Sequence, residues 1–288
     1  MADAQRYYVP HGTKWPILGS IGLVCLLGGF ANTLNGAASG GEAFMVIGAV
    51  SIIIMMFGWF GTVVGESERG TYSKQVDTSF RWGMGWFIFS EVMFFAAFFG
   101  ALFYVRHYAV PWIGGEGAKE VTNSVLWPSF EAEWPTNGPG NIGGGFTSMA
   151  PWGIPALNTL ILLSSGATVT WAHWGLLKGS RGQLIFGLFA TIALGFTFVG
   201  LQAYEYFHAF TELNLTLHSG IYGSTFFMLT GFHGLHVTIG AIMLTVMFVR
   251  SIRGHFTADH HFAFEAAAWY WHFVDVVWLG LFIFVYWL

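Results

Sequence analysis

The chain carries very little charge. Of its 288 residues, only 9% are Asp, Glu, Lys or Arg, whereas a soluble domain uses about 25% to keep its surface wet. With 55% of residues apolar and 19% aromatic, there is too little polar side chain to coat a globule of this size. That shortage excludes an ordinary water-soluble fold and calls for lipid as the solvent. Cysteine is nearly absent too. A single Cys25 excludes an intrachain disulfide, a Cys-x-x-Cys redox pair and a two-thiolate metal centre. There is no excess of positive charge either, and a net charge of −4 leaves no footprint for nucleic acid. The stretch from Met1 to Lys14 is polar. It lacks the basic-then-apolar pattern of a cleaved leader, so no removed peptide is expected.

What the chain does have is long apolar runs. Lipid-exposed backbone must bond to itself, so each run of roughly 20 apolar residues is read as a helix. Seven are expected, at about 15–35, 42–65, 79–106, 155–175, 183–208, 221–249 and 263–287. The fold class is therefore an all-α integral membrane protein with seven transmembrane helices. The first two form a hairpin joined by the Gly-rich stretch from Asn35 to Gly41, which places an N-terminal unit at 1–70 and a five-helix bundle at 71–288. A long loop at about 107–154 is rich in Gly, Pro and Trp and holds Glu116, Glu120, Glu131 and Glu133. Gly143, Gly144 and Gly145 are expected to make part of it flexible, while its Trp residues suggest docking on a surface. No internal repeat is visible, which argues against a transporter built from duplicated halves.

The basic residues test the span count. With seven spans, the side holding the N-terminus collects Arg6, Lys14, Arg69, Lys74, Arg81, Lys178, Arg181, Arg250 and Arg253. The opposite side has only Arg106 and Lys119. Lys and Arg accumulate on the cytoplasmic side, so the N-terminus is expected to be cytoplasmic and the C-terminus external.

A few polar residues fall inside the apolar runs. Glu91 lies midway along the third span, with Phe94, Phe95 and Phe98 on its helical face. An ionised group at the bilayer centre costs about 2.5–3.5 kcal/mol on insertion scales, so Glu91 must face protein or water. It either exchanges protons or serves as a protonated acid bonded to a neighbouring helix. His233 and His236 share a face of the sixth span, and His173 and His272 lie in the fourth and seventh. Imidazoles on facing helices can hold haem or copper, which would make the chain a haem-bearing membrane electron carrier. They can equally bond to one another or to backbone. Glu265, Trp269 and His272 form one stripe, and His272 meets Asp275 one turn on. That Asp–His pair is read as structural. Glu205 could pair with His208 in the same way. Arg250, Arg253 and His255 close the sixth span, where basic residues bind anionic lipid head groups or set topology.

Several of these segments resemble subunit III of the haem–copper cytochrome c oxidases. The runs that carry the likeness are HFTADHHF at 255–262 followed by FEAAAWYWHFVDVVW at 264–278, IYGSTFFMLTGFHGLHVTIG at 221–240, SEVMFFAAFFGAL at 90–102, GIPALNTLILLSSG at 153–166, VTWAHW at 169–174 and LQAYEYF at 201–207. The resemblance implies an accessory subunit with no redox centre, haem and copper being held by subunits I and II. It implies that the first two helices lean away from the other five, leaving a V-shaped cleft filled with phospholipid. It further implies support for proton uptake and sustained turnover, with cytochrome c as electron donor to the complex. By the same likeness, Glu91 becomes the membrane carboxyl of the third helix, and Arg250, His255, Glu66 and Trp59 become lipid contacts. His233, His236, His272, Asp275 and Glu265 become structural, and this chain binds no metal. The setting would be a bacterial plasma membrane, or the mitochondrial inner membrane as the alternative. The chain departs from mitochondrial members in having Gly61-Thr62 in place of an Arg-Asp pair, and its long loop is larger than the family leads one to expect.

Overall fold

The computed structural model describes residues 12–36 and 40–288. Arg6 and part of the turn expected between the first two helices lie outside the described residues. Among the described residues, seven helices are long and apolar enough to cross a membrane. They are α1 (Trp15–Leu34), α2 (Gly41–Glu68), α3 (Lys74–Ile113), α5 (Ile154–Leu177), α6 (Arg181–Thr211), α7 (Gly220–Ile252) and α8 (Phe262–Trp287). A short helix, α4 (Glu120–Leu126), lies in the connection after α3. No strand occurs among the described residues.

Most helices overrun the apolar stretches that announce them, because polar end turns find local partners. At the start of α3, Arg81 Nε donates to Asp77 Oδ2 at 2.9 Å, one turn apart. At its other end, α3 runs to Ile113 rather than stopping near 106. Pro111 would normally interrupt the i to i−4 ladder, but it follows a π turn over Val105–Ala109, where that ladder is already replaced by wider bonding.

The chain divides into two compact units, residues 1–82 and 83–288. The division falls inside α3 rather than at residue 70. Its first turns belong with the hairpin, since the Tyr72 hydroxyl donates to Glu66 at 2.7 Å and the Tyr72 ring meets Phe80 edge-on at 5.1 Å. Within the first unit, α1 and α2 touch backbone to backbone. A Cβ on Gly48 would stand 2.4 Å from the Leu26 nitrogen, and one on Gly29 would stand 2.6 Å from the Gly41 carbonyl oxygen. In lipid, helices gain from close van der Waals approach rather than from escape from water, and small residues permit it. Trp15 Nε1 closes the far end by donating to Thr62 Oγ1 at 3.2 Å.

The second unit is organised around α8. Trp271 and Trp278 are wholly buried, and each indole finds a hydroxyl on α5. Trp271 Nε1 donates to Ser165 Oγ and Trp278 Nε1 to Thr159 Oγ1, both at 2.9 Å. These bonds let a polar N–H sit in an apolar core. The α5–α6 pair is pinned by the Thr168 and Thr191 hydroxyls, 2.8 Å apart.

The long loop is tied down, including the glycines expected to be loose. Asn214, in the α6–α7 connection, donates to the carbonyls of Gly143 and Gly145 at 3.1 and 2.9 Å. The Thr147 amide donates to Leu213 O at 3.0 Å. Phe146 stacks on Tyr222 at 5.3 Å, and Trp134 meets the same ring edge-on at 5.6 Å. Gly143 and Gly144 have φ of 83° and 75°, so glycine serves there to set a bonded turn rather than to give slack.

Candidate functional site

The carboxyl of Glu91 meets an imidazole. His236 Nε2 lies 2.9 Å from Glu91 Oε2, and both side chains are largely enclosed, 11% and 21% exposed respectively. The His236 ring is boxed by Phe94 and Phe95 on α3 and by Tyr270 and Phe273 on α8. Its other nitrogen, Nδ1, lies 2.6 Å from the Phe232 carbonyl. A carbonyl only accepts, so Nδ1 carries the hydrogen. Two arrangements then satisfy the Glu91 contact. A neutral acid donates to a bare Nε2, or an imidazolium donates to a carboxylate. The pair holds one shared proton in either case, and its net charge is zero in either case.

The other histidines of the spans are tied to neighbouring groups. His233 Nε2 donates to the Val274 carbonyl at 3.0 Å. His233 and His236 therefore share a helix but not a target: one reaches α8 and the other α3. His272 Nε2 lies 3.2 Å from Thr170 Oγ1, and its Nδ1 lies 3.5 Å from Asp275 Oδ2. The expected Asp275–His272 contact is present. Glu265, Trp269 and His272 are all half-buried, on one stripe. His173 packs edge-on against His261 at 5.4 Å. Among the described residues, no three His, Cys, Asp or Glu side chains are grouped as a metal ion would require. The four imidazoles of the electron-carrier reading, His233, His236, His173 and His272, meet different neighbours, Val274, Glu91, His261 and Thr170.

Glu205 does not pair with His208. Its Oε1 accepts from the Tyr286 hydroxyl at 2.6 Å, inside the bundle. Glu205 shares a buried face of α6 with Gln202 and Ala209, which turns it inward. Tyr286 is the partner that sequence reading missed, and the available signal was a phenol within an apolar span, which needs an acceptor.

Arg250 is buried, and its guanidinium lies 4.5 Å from the Phe256 ring centre. The His255 amide donates to the Arg250 carbonyl at 3.1 Å, which folds the end of α7 around that cation. In the first unit, Glu66 is held by Tyr72, and Trp59 is 43% exposed on α2.

These features define a class: a polytopic helical membrane protein whose few intramembrane polar groups are spent mainly on joining its own helices. Comparison with known proteins narrows the class. The chain matches the family described as Cytochrome c oxidase subunit III over residues 5–115 and 122–288. It is similar to cytochrome c oxidase subunit 3 of Marchantia polymorpha, at 44% identity over 100% of this chain and 98% of the relative. Similar proteins of the same description from Gadus morhua and Arabidopsis thaliana are 41% and 42% identical, over 99% and 100% of this chain and 98% of each relative. The chain belongs to the cytochrome c oxidase subunit III family. It is an accessory, non-catalytic subunit of the respiratory oxidase.

Proposed function

We propose that this subunit binds phospholipid, braces the haem-bearing part of the oxidase and supports its proton uptake and sustained turnover. Its partners in this reading are subunits I and II, with cytochrome c as electron donor to the complex and haem and copper confined to those partners. The observation that carries the reading is the Glu91–His236 pair. Placed midway through α3 and enclosed by aromatic rings, it holds one proton that either group can carry. Passing that proton between the two groups leaves the net charge at zero, so the pair can hold a proton in the membrane without a net ion.

The basic residues support an N-terminus on the cytoplasmic side, in a bacterial plasma membrane or a mitochondrial inner membrane. On that orientation Arg250 and His255 stand at the cytoplasmic end of α7. A cation and an imidazole at that depth suit an anionic lipid phosphate. Glu66, near the end of α2, suits the amine of a zwitterionic head group, and the exposed indole of Trp59, two turns earlier, suits the lipid itself.

The test is Glu91→Ala in the complete oxidase. Assembly and haem spectra should be unchanged, while proton uptake slows or the number of cycles before inactivation falls. Unaltered uptake together with an unaltered lifetime would reduce Glu91 to a helix-joining residue.

A further inference from the structure

A polar side chain buried between membrane helices has no bulk solvent to pair with, so each donor and acceptor there needs a definite partner. Trp271 and Ser165, or Thr168 and Thr191, find theirs within the bundle. A group of side chains around Trp278 does not.

The Trp278 indole donates to Thr159 on α5, and its ring meets Phe198 of α6 at 4.7 Å, His233 of α7 at 5.1 Å and Tyr286 of α8 at 5.8 Å. Beside each of these contacts lies unspent bonding capacity. Asn158 precedes Thr159, and neither polar atom of its amide has a hydrogen-bond partner in this chain. Gln202 is one turn beyond Phe198; its Nε2 donates to the Thr230 carbonyl at 3.0 Å, but its Oε1 is unpartnered. His233 gives its hydrogen to Val274, which leaves Nδ1 a bare acceptor. Glu205 accepts from Tyr286 at Oε1, while Oε2 has no partner. Asn158, Glu205 and His233 are wholly buried, and Gln202 nearly so.

The helices hold these groups at neighbouring levels. α5 and α6 are antiparallel, with Thr168 against Thr191 and Ala172 against Gly187. The same register, carried ten residues on, sets Asn158 level with Leu201 and Gln202. Gly234 on α7 keeps the space beside Gln202 open, since even a Cβ there would stand 3.1 Å from Oε1. Asn158 is four residues inside α5, and Glu205 is six residues short of the end of α6. Those depths are about 6 and 9 Å at 1.5 Å per residue, from helix ends on the same face of the bundle.

The donor and acceptor inventory identifies the ligand. Gln202 Oε1, His233 Nδ1 and Asn158 Oδ1 accept, whereas Asn158 Nδ2 donates. An anion would face the acceptors, and a metal cation would leave the amide hydrogens unpaired. Water both gives and takes, and buried waters typically bond to about three such groups.

We propose that a cluster of bound water molecules occupies the space around Trp278, bonded to Asn158, Gln202, Glu205 and His233 and tying α5, α6 and α7 together beside α8. The site is independent of the Glu91–His236 pair and of the function proposed above.

The test is X-ray radiolysis of the intact oxidase in water, with oxidised side chains mapped by mass spectrometry. Hydroxyl radicals form where water is bound and attack the nearest side chains. Trp278 and Tyr286, both buried, should oxidise several-fold faster than Trp271, which is equally buried two turns away on α8. Trp278 and Tyr286 labelled no faster than Trp271 would overturn the proposal. Asn158→Leu should lower labelling of Trp278 several-fold and leave Trp271 unchanged. Undiminished labelling of Trp278 in that variant, once assembled, would also overturn it. Should the variant fail to assemble, the comparison of Trp278 with Trp271 in the native complex decides.

Discussion

Removing one member of the Glu91–His236 pair should cost nearly as much as removing both. His236→Leu leaves a carboxyl facing phenylalanine rings, and Glu91→Leu leaves Nε2 of His236 without its partner. Breaking a buried ion pair from one side costs about 3–5 kcal/mol in soluble proteins. Hydrogen bonds between transmembrane helices measure about 0.6 kcal/mol on average and about 1.7 at most. The pair is 11% and 21% exposed and joins α3 to α7, so the upper end of the membrane range applies. Each single variant should lose about 1.5–2 kcal/mol, and the double Leu variant about the same. That leaves a coupling of about 1.5 kcal/mol, well above the roughly 0.5 kcal/mol within which independent sites add. The assay is reversible unfolding of the subunit in mixed micelles, titrated with sodium dodecyl sulfate and followed by circular dichroism. Single losses that simply add in the double variant would refute the pairing. Turnover lifetime provides a second reading, and His236→Leu should shorten it as Glu91→Ala is expected to.

Three further outcomes follow from the geometry. Arg250→Ala removes the guanidinium beside Phe256 and should strip bound phospholipid from the purified complex; a full lipid count by native mass spectrometry would refute the contact. Gly48→Leu forces a side chain into a space 2.4 Å from the Leu26 nitrogen, an overpacking that costs about 1–3 kcal/mol. It should part α1 from α2 and speed maleimide labelling of Cys25, and unchanged labelling would count against the close packing. Asn214→Ala deletes two bonds to the Gly143 and Gly145 carbonyls, each worth about 1 kcal/mol, and amide hydrogen exchange across 143–147 should accelerate. Unchanged exchange would mean that the aromatic contacts of Phe146 and Trp134 hold the loop by themselves.

The spans were legible because the signal is long and one-dimensional: each is an apolar run that had to be helical, and the charge bias agreed with an odd number of crossings. The polar contacts were legible only within one helix. Asp275 and His272 are three residues apart, so helical spacing alone brings them together. Glu91 and His236 are far apart in sequence, and no periodicity says which helix stands opposite which. The His233–His236 spacing suggested a common target. Three residues advance a helix by about 300°, leaving roughly 60° between the two side chains, enough to send one to the Val274 carbonyl and the other to Glu91. His208 looked like the partner of Glu205 for the same local reason, whereas burial on the α6 inner face directs that carboxyl to Tyr286. The long loop misled through composition. Gly suggests slack, but Gly143 and Gly144 adopt positive φ in a turn whose Gly143 and Gly145 carbonyls accept from Asn214, a residue beyond the reach of local reasoning.

The two imidazole–carboxyl contacts obey one rule and differ in what they leave open. In each, one ring nitrogen is engaged by a neutral acceptor. For His236 it is the Phe232 carbonyl. For His272 it is Thr170 Oγ1, whose own hydrogen is committed to the Gly166 carbonyl at 3.0 Å. The remaining nitrogen faces a carboxyl oxygen in both, so each couple sets an acid beside a base. An isolated ion would cost about 2.5–3.5 kcal/mol at this depth, and a neighbour of complementary chemistry lowers that cost during insertion and folding. The couples then diverge in geometry. Glu91–His236 is short at 2.9 Å and boxed by aromatic rings, which suits a proton held inside the subunit. His272–Asp275 is long at 3.5 Å and its imidazole is 45% exposed, which suits a contact that ties α8 to α5 through Thr170. The same chemistry, closed in one place and open in another, separates a proton-bearing pair from a helix-joining one.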